Sequence, residues 1–145
     1  MFCKKIALTL LLLLVATTAF AGSKNSLFGA GKPTIICFGG SYCPACKKAL
    51  PDFKSVQKNF ASRATILYLD VERDRQMAST FPLQVIPTYF FYDKNGKPLV
   101  PSKKLAEQIE FTSVKSKDGK ETWLLHMGML TEDELVAILA DMGVK

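Results

Sequence analysis

Residues 39–53 read GGSYCPACKKALPDF, and this stretch decides how the rest of the chain is interpreted. It places Cys43 and Cys46 three positions apart, with Pro44 directly after the first cysteine and Pro51 further on. Proline suits the first turn of a helix, where its missing N–H group costs nothing. The pattern therefore predicts a helix that begins at Pro44, with Cys43 as its N-cap and a kink at Pro51.

A cysteine at the N-terminus of a helix is favoured as a thiolate. Its sulfur faces unpaired backbone N–H groups and the positive end of the helix dipole, and both stabilise negative charge. Each unit by which the pKa falls corresponds to about 1.4 kcal/mol of preference for the thiolate. Cys46 would lie one turn further on, where a disulfide with Cys43 can open and close with little backbone movement. We therefore predict that Cys43 attacks a substrate disulfide and that Cys46 resolves the mixed disulfide.

The first residues of the chain have the pattern of an export signal. A basic start and the uncharged apolar run IALTLLLLLVA at residues 6–16 precede the sequence Ala-Phe-Ala at residues 19–21, which fits a cleavage site. The apolar run is shorter than the roughly 20 residues that span a bilayer. We expect a signal peptide at residues 1–21 and one domain at residues 22–145, with an uncleaved membrane anchor as the alternative. The mature protein would be exported, either periplasmic or secreted, to a compartment where disulfides persist.

The charge of the chain argues against a nucleic-acid partner. Its 145 residues carry 19 lysines and arginines against 13 acidic residues, a formal net charge of +6. The basic residues are spread out, without the interleaved arginines and aromatic residues of a nucleic-acid surface. The mature chain would keep three cysteines, Cys37, Cys43 and Cys46, which do not make the even-numbered pattern of a disulfide-stapled scaffold.

Alternating strands and helices are predicted after residue 33. Short apolar runs rich in β-branched and aromatic residues predict strands at residues 34–38, 65–70 and 88–92. The helix between the first two strands implies a right-handed crossover and hence a parallel pair. A short helix is expected at residues 74–80, before Pro82.

Two hairpins and a capped helix are predicted in the C-terminal half. Turn-forming residues place the turns at 93–96 and 116–119 and the strands that follow or flank them at 98–100, 107–114 and 121–126. Thr131 and Glu134 fit a capping box, and the apolar stripe behind them predicts a final helix.

Taken in this order, these features make the chain similar to the thioredoxin superfamily. The resemblance is carried by YCPACK at residues 42–47, the kinking Pro51, VIPT at residues 85–88, Gly128 and the capped final helix. It covers residues 33–100 and 126–143 and implies the thioredoxin fold, an α/β architecture in which helices flank a central mixed sheet. Relative to that fold, the chain would have a minimal N-terminus and a β-hairpin-like insertion at residues 101–121 before the last helix.

The resemblance also implies an activity and a substrate surface. Thioredoxin-like proteins are thiol–disulfide oxidoreductases that need no cofactor beyond their own redox-active cysteine pair. The Ile86–Pro87 bond would be cis and lie beside the disulfide, and Tyr42, Pro44, Ile86 and Pro87 would lie at the substrate. The partners would be protein thiols and disulfides and a membrane thiol donor, because an isoleucine before this proline resembles the reductive branch of the family.

Two positions near the cysteine pair depart from the thioredoxin pattern. Thioredoxins carry a buried acid where this chain has Cys37, and an accompanying lysine where it has Tyr68. The base that assists Cys46 would then be water, Tyr68 or another group. Cys37 is expected to be a small core residue, and His126 and Trp123 are expected to have packing roles.

Two other functions remain open for the cysteine pair. Soft thiolates suit copper(I), so the chain could be a metal-handling protein, although a structural zinc site usually needs four ligands. A thioredoxin fold could also serve as a non-catalytic binding module that uses the groove near Pro87. Loss of bound metal in Cys43→Ser would identify the first alternative, and partner binding that survives removal of both thiols would identify the second.

Overall fold

The sheet at the centre of the protein is built from the apolar runs of the sequence. A computed structural model describes Phe28 and residues 30–145, so the predicted signal peptide at residues 1–21 lies outside the described residues. The elements follow in the order β1 (Thr34–Gly39), α1 (Pro44–Phe60), β2 (Thr65–Asp70), α2 (Arg75–Ala78), β3 (Thr88–Tyr92), α3 (Lys103–Gln108), β4 (Thr112–Lys115), β5 (Thr122–Met127) and α4 (Glu132–Asp141). Within the described residues, no helix has the length and apolar character needed to cross a membrane.

These strands form one sheet in the order β2-β1-β3-β5-β4. β1 and β2 run parallel, as the helical crossover between them requires, and the other pairs are antiparallel. α1 and α4 contact each other and share one apolar layer with the sheet. The predicted α/β architecture, with helices flanking a central mixed sheet, is confirmed.

The residues of β1 alternate between two apolar layers. Ile35 and Cys37 belong to the layer that α1 and α4 cover, whereas Ile36 and Phe38 belong to the layer on the opposite face. Every residue of β1 is buried, because both faces of a central strand are covered. β1 ends at Gly39, and the loop that follows it, residues 40–43, is called the cysteine loop.

The final helix begins at the predicted capping box. The Thr131 hydroxyl accepts a hydrogen bond from the Glu134 N–H at 3.3 Å, and the Glu134 carboxylate accepts one from the Thr131 N–H at 2.8 Å. These two bonds satisfy backbone donors that a helix otherwise leaves unpaired. The buried face of α4 then packs on α1 and supports the helix that carries the cysteine pair.

The prediction of a strand at residues 98–100 is wrong. In the described part of the chain, one bridge between Tyr92 and Pro98 and one hydrogen bond from Leu99 N to Phe91 O, at 3.0 Å, join this segment to β3. Beyond this bridge the same edge of β3 is occupied by β5, which pairs with Phe90, and Pro101 has no N–H group with which to extend a ladder. The turn before it is present, with Gly96 at a φ of 75°.

The predicted insertion contains a helix that the strand pattern did not indicate. The first residues of the strand predicted at 107–114 instead end α3, which Ser102 caps by accepting a hydrogen bond from Leu105 N at 3.3 Å. The strand itself begins at Thr112. β4 and β5 form the predicted hairpin, and β5 pairs directly with β3. The hairpin is therefore part of the central sheet.

Candidate active site

Cys43 and Cys46 form a disulfide at the start of α1. Cys43 is the N-cap, with extended backbone, and its Sγ accepts a hydrogen bond from the Cys46 N–H at 3.1 Å. Pro44 occupies the first turn, as predicted from its missing N–H group. The two Cα atoms are 5.2 Å apart, within the range that a disulfide spans. The predicted N-cap position of Cys43 is confirmed.

The two sulfurs differ in their access to a partner. Cys43 is 8% exposed, whereas Cys46 is 1% exposed. The first turn of α1 contains no acidic residue, so the helix dipole and the free N–H groups act on Cys43 without an opposing charge on that turn. This arrangement favours a thiolate at Cys43 and reserves Cys46 for a second, intramolecular attack.

The loop at residues 85–87, called the proline loop, lies against the Cys43 sulfur. The Ile86–Pro87 peptide bond is cis, and the Ile86 carbonyl oxygen lies 3.6 Å from Cys43 Sγ. The Pro87 carbonyl in turn accepts a hydrogen bond from Gly128 N at 2.9 Å. Residues that are far apart in sequence thus meet at one sulfur, and in the dithiol form the Cys43 thiol can donate to the Ile86 carbonyl.

Tyr42 and Pro44 flank the disulfide on its open side. Tyr42 is 61% exposed and Pro44 is also exposed. The Tyr42 ring and the Ile86 side chain both lie close to Gly40. A Cβ atom added at Gly40 would come within 3.0 Å of the Tyr42 ring and 3.1 Å of Ile86 Cδ1. The structure therefore brings the four residues predicted at the substrate surface together around Cys43, with Pro87 buried and the other three at least partly exposed.

Asp70 anchors the cysteine loop, a contact that the sequence reasoning missed. Its carboxylate accepts hydrogen bonds from the N–H groups of Glu72 at 2.9 Å, Arg73 at 3.3 Å and Ser41 at 3.2 Å. These bonds, led by the one from Glu72, hold the pKa of Asp70 below its usual range. In the sequence, only the position of Asp70 at the end of a predicted strand points to this role, and Ser41 is 29 residues away from it. The contact follows from the register of β1 against β2, which places Asp70 opposite Gly39.

Cys37 lies in a row of side chains across the sheet, beneath the cysteine loop. It is opposite Tyr68 in β2 and Tyr89 in β3, and Tyr89 is opposite His126 in β5. The Cys37 thiol is free and 2% exposed, and burial raises its pKa to about 12. The Tyr89 hydroxyl lies beside it, buried and without a hydrogen-bond partner in the described part of the chain. The predicted core position of Cys37 is confirmed.

His126 and Trp123 are the remaining residues that the sequence singled out. His126 is half-buried and its Nδ1 lies 2.8 Å from the Glu110 carbonyl oxygen, consistent with a structural role. Trp123 lines a cavity of about 650 Å³ together with Phe28, Phe81 and Tyr92. None of the predicted substrate or cysteine residues borders this cavity. Among the described residues, no three His, Cys, Asp or Glu side chains converge as metal ligands would.

Comparison with known proteins relates the whole arrangement to a family. The Thioredoxin family model matches residues 15–117. Thioredoxin Y of rice chloroplasts (Oryza sativa subsp. japonica) is 26% identical over 97 residues, which cover 63% of this chain and 57% of that protein. The thioredoxin of Borreliella burgdorferi is 27% identical over 81 residues, covering 56% of this chain and 69% of the relative. The chain thus spans a little over half to two thirds of the length of these relatives.

Solved structures show the same fold at lower sequence identity. Chloroplastic thioredoxin z superposes with a TM-score of 0.52 at 15% identity, over 78% of this chain and 80% of that one. The thioredoxin of Malassezia sympodialis superposes with a TM-score of 0.54 at 19% identity, over 81% and 82% of the two chains. At these identities the likeness concerns the fold alone.

Proposed function

This chain belongs to the thioredoxin family, and from that premise we propose that it is an exported thiol–disulfide oxidoreductase that acts on protein disulfides through Cys43 and Cys46. One observation carries the proposal. The accessible Cys43 sulfur sits at the amide end of α1 and is already bonded to the buried Cys46 sulfur. A pair held in this way can cycle between disulfide and dithiol without rearranging the helix.

The reaction proceeds by two displacements at sulfur. The Cys43 thiolate attacks one sulfur of the substrate disulfide, forms a mixed disulfide and expels the other substrate sulfur as a thiolate. Cys46, after losing its proton, attacks Cys43 and releases the second substrate thiolate. Two electrons pass to the substrate, two protons from solution or from the enzyme thiols neutralise its sulfurs, and the enzyme is left as the disulfide. No cofactor beyond this cysteine pair takes part in the proposed cycle.

The substrate lies between the cysteine loop and the proline loop. We assign Tyr42, Pro44, Ile86 and Pro87 to its surface because the Ile86 carbonyl lies 3.6 Å from Cys43 Sγ and the Tyr42 ring borders Ile86. The Ile86 carbonyl belongs to a loop rather than to β3, so it is free of the strand ladder. It is placed to accept a hydrogen bond from the backbone of a substrate peptide.

The proposed direction is reduction in an exported location. The basic start, apolar run and Ala-Phe-Ala site support a signal peptide at residues 1–21 and a mature domain at residues 22–145, periplasmic or secreted. A membrane thiol donor would return the enzyme to the dithiol form. The mass of the protein recovered from an exporting host tests the cleavage, and the equilibrium constant of the dithiol with glutathione tests the direction. An oxidising value would reverse the proposed direction.

Insulin reduction by dithiothreitol tests the activity itself. We expect the wild-type protein and the matched control Cys37→Ser to accelerate the reaction, and Cys43→Ser to abolish the acceleration. Cys46→Ser should accumulate a mixed disulfide with the substrate that gel electrophoresis without reductant detects. Retained activity in Cys43→Ser would contradict the proposal, and so would the absence of a trapped complex with Cys46→Ser. Partner binding that persists without either thiol would instead indicate a binding module.

A further inference from the structure

A cavity lies on the face of the sheet opposite α1 and α4, at the place where β3 and β5 separate. These two strands pair over residues 88–90 of β3. If the pairing continued in the same register, Tyr92 would face Trp123, but Tyr92 pairs with Pro98 instead. Tyr92 and Trp123 therefore line a cavity of about 650 Å³, to which α2 contributes a further wall.

Aromatic rings form much of the lining of this cavity. Phe28 stacks on Tyr92, with ring centroids 4.8 Å apart and planes inclined by 10°. Phe81 meets the Phe28 ring edge-on, with centroids 6.3 Å apart, and Trp123 lines the side formed by β5. Binding sites for small molecules commonly measure roughly 300–1,000 Å³ and have aromatic linings. Because aromatic rings stack well on one another, this lining favours an aromatic ligand.

Two hydrogen-bond donors belong to the same lining. Tyr92 is 8% exposed, and its hydroxyl has no hydrogen-bond partner among the described residues. Burial, with a smaller contribution from the charge of Glu121, raises the pKa of Tyr92, so its hydroxyl keeps the proton and can donate it. The Trp123 indole N–H can donate but cannot accept. Since a buried donor without a partner is costly, a ligand that supplies an acceptor oxygen is favoured.

The charged side chains of the lining balance one another. Arg73 and Lys120 are positive, and Asp74 and Glu121 are negative. Two of the four already have partners, because the Asp74 carboxylate accepts a backbone hydrogen bond at 2.9 Å and the Lys120 ammonium lies 3.6 Å from the Asp118 carboxylate. The remaining pair, Arg73 and Glu121, is again one positive and one negative charge. The lining therefore has no excess charge with which to hold an ion, and it favours an uncharged ligand.

We propose that this cavity binds an uncharged, fused-ring aromatic compound whose carbonyl oxygen accepts a hydrogen bond from the Tyr92 hydroxyl. The aromatic walls select the ring, the Tyr92 hydroxyl selects the oxygen, and the balanced charges select against an ion. The cavity is lined neither by the two cysteines nor by the four residues assigned to the substrate surface. The inference thus goes beyond the proposed function and does not depend on it.

The fluorescence of Trp123 tests the proposal directly, because this is the single tryptophan of the chain and it lines the cavity. The probe is 2-acetonaphthone, an uncharged fused-ring ketone, and we expect it to quench the fluorescence with a saturable dependence on its concentration. Tyr92→Phe, which removes the donor alone, should weaken binding about fivefold to tenfold. The matched control Tyr68→Phe removes a hydroxyl from the opposite apolar layer and should bind the ketone as the wild type does.

Two further probes separate the contributions of the oxygen and of charge. 2-Ethylnaphthalene has the same rings without the carbonyl, so it should bind wild type and Tyr92→Phe with equal affinity. 2-Naphthoate has the same rings with a negative charge and should bind wild type more weakly than the ketone. Tighter binding of 2-naphthoate, or equal affinity of wild type and Tyr92→Phe for the ketone, would overturn the assignment of the ligand class.

A filling substitution tests whether the ligand occupies the cavity itself. The hydroxyls of Ser79 and Thr80 each donate to a carbonyl of α2, at 2.9 and 2.7 Å, but Thr80 lines the cavity and Ser79 does not. Thr80→Phe should therefore weaken ketone binding at least about tenfold, whereas Ser79→Phe should leave it unchanged. Equal losses in the two variants, or an absence of saturable quenching in wild type, would overturn the site. Cys43→Ser should bind the ketone normally, so a failure of the proposed oxidoreductase activity would leave this result intact.

Discussion

At the scale of single residues, Cys37 lies where a thioredoxin carries its buried acid, and it keeps its proton. Burial raises the pKa of its thiol to about 12, and it also raises the pKa of the adjacent Tyr68 above the ordinary tyrosine value. Neither group is ionised near neutrality, so neither can serve as an internal base for Cys46. This leaves water, the departing substrate thiolate or another group to take the proton of Cys46.

The buried thiol predicts how stability changes in alkali. The folded-state pKa of about 12 exceeds the ordinary thiol value of 9.0, so above pH 9 the folded state binds more protons than the unfolded chain. The stabilisation is complete below about pH 9 and is lost as the pH rises towards 12. In the disulfide form, raising the pH from about 8 to about 10 should reduce the free energy of unfolding by about 1.4 kcal/mol more in wild type than in Cys37→Ala. Urea unfolding at both pH values measures this, and parallel losses in the two proteins would contradict the raised pKa.

At the scale of elements, the start of α1 is the feature that makes Cys43 chemically different from Cys37. Both are cysteines near the carboxyl end of β1, but Cys37 faces an apolar layer and Cys43 faces the free N–H groups of a helix. The loop between them is fixed by the hydrogen bond from Ser41 N to Asp70 and by one from Cys43 N to Gly40 O at 3.2 Å. The loop thus holds the sulfur at the N-cap, where the thiolate is favoured.

Charge substitutions in the first turn of α1 test this electrostatic account. Ala45 lies between the two cysteines and is half-buried, and the turn carries no acidic residue. Ala45→Glu should raise the pKa of Cys43 by about half a unit to one unit, and the matched Ala45→Lys should lower it by a similar amount. The ultraviolet absorbance of the thiolate, followed as a function of pH in the reduced protein, reports the shift. Shifts of the same sign in both variants would show that packing, and not charge, controls this thiol.

At the scale of the whole molecule, the parts that follow local patterns could be predicted. The strands at the three apolar runs, the N-cap cysteine and the Thr131 capping box each depend on a few neighbouring residues, and each is present. The anchoring of Ser41 by Asp70 could not be predicted, because it depends on the register of β1 against β2. The approach of segment 127–129 to the proline loop likewise depends on the pairing of β5 with β3.

The two errors lie where tertiary contacts, and not the local sequence, decide the structure. Residues 98–100 have the composition of a strand, but β5 pairs with the same edge of β3 at Phe90 and leaves room for a single bridge at Pro98. Residues 103–108 form a helix because Ser102 caps it and because Leu105 is buried in the core beside α4. A cap and one buried leucine are weak signals in isolation, and tertiary packing decides between helix and strand for so short a segment.

The direction of the proposed reaction should be visible in the stability of the whole fold. Folding and reduction form a thermodynamic cycle, so the oxidised protein is more stable than the reduced one if folding lowers the reduction potential of the cysteine pair. Each 30 mV of lowering corresponds to about 1.4 kcal/mol of extra stability for the oxidised form.

A reductase that donates electrons readily has a low potential in its folded state, so we expect the disulfide form to unfold at the higher urea concentration. Unfolding of both forms, with the Cys43→Ser/Cys46→Ser variant as the control that cannot change with redox state, measures the difference. A reduced form more stable than the oxidised form would mean that the folded protein favours the thiolate over the disulfide, which is the property of an oxidant.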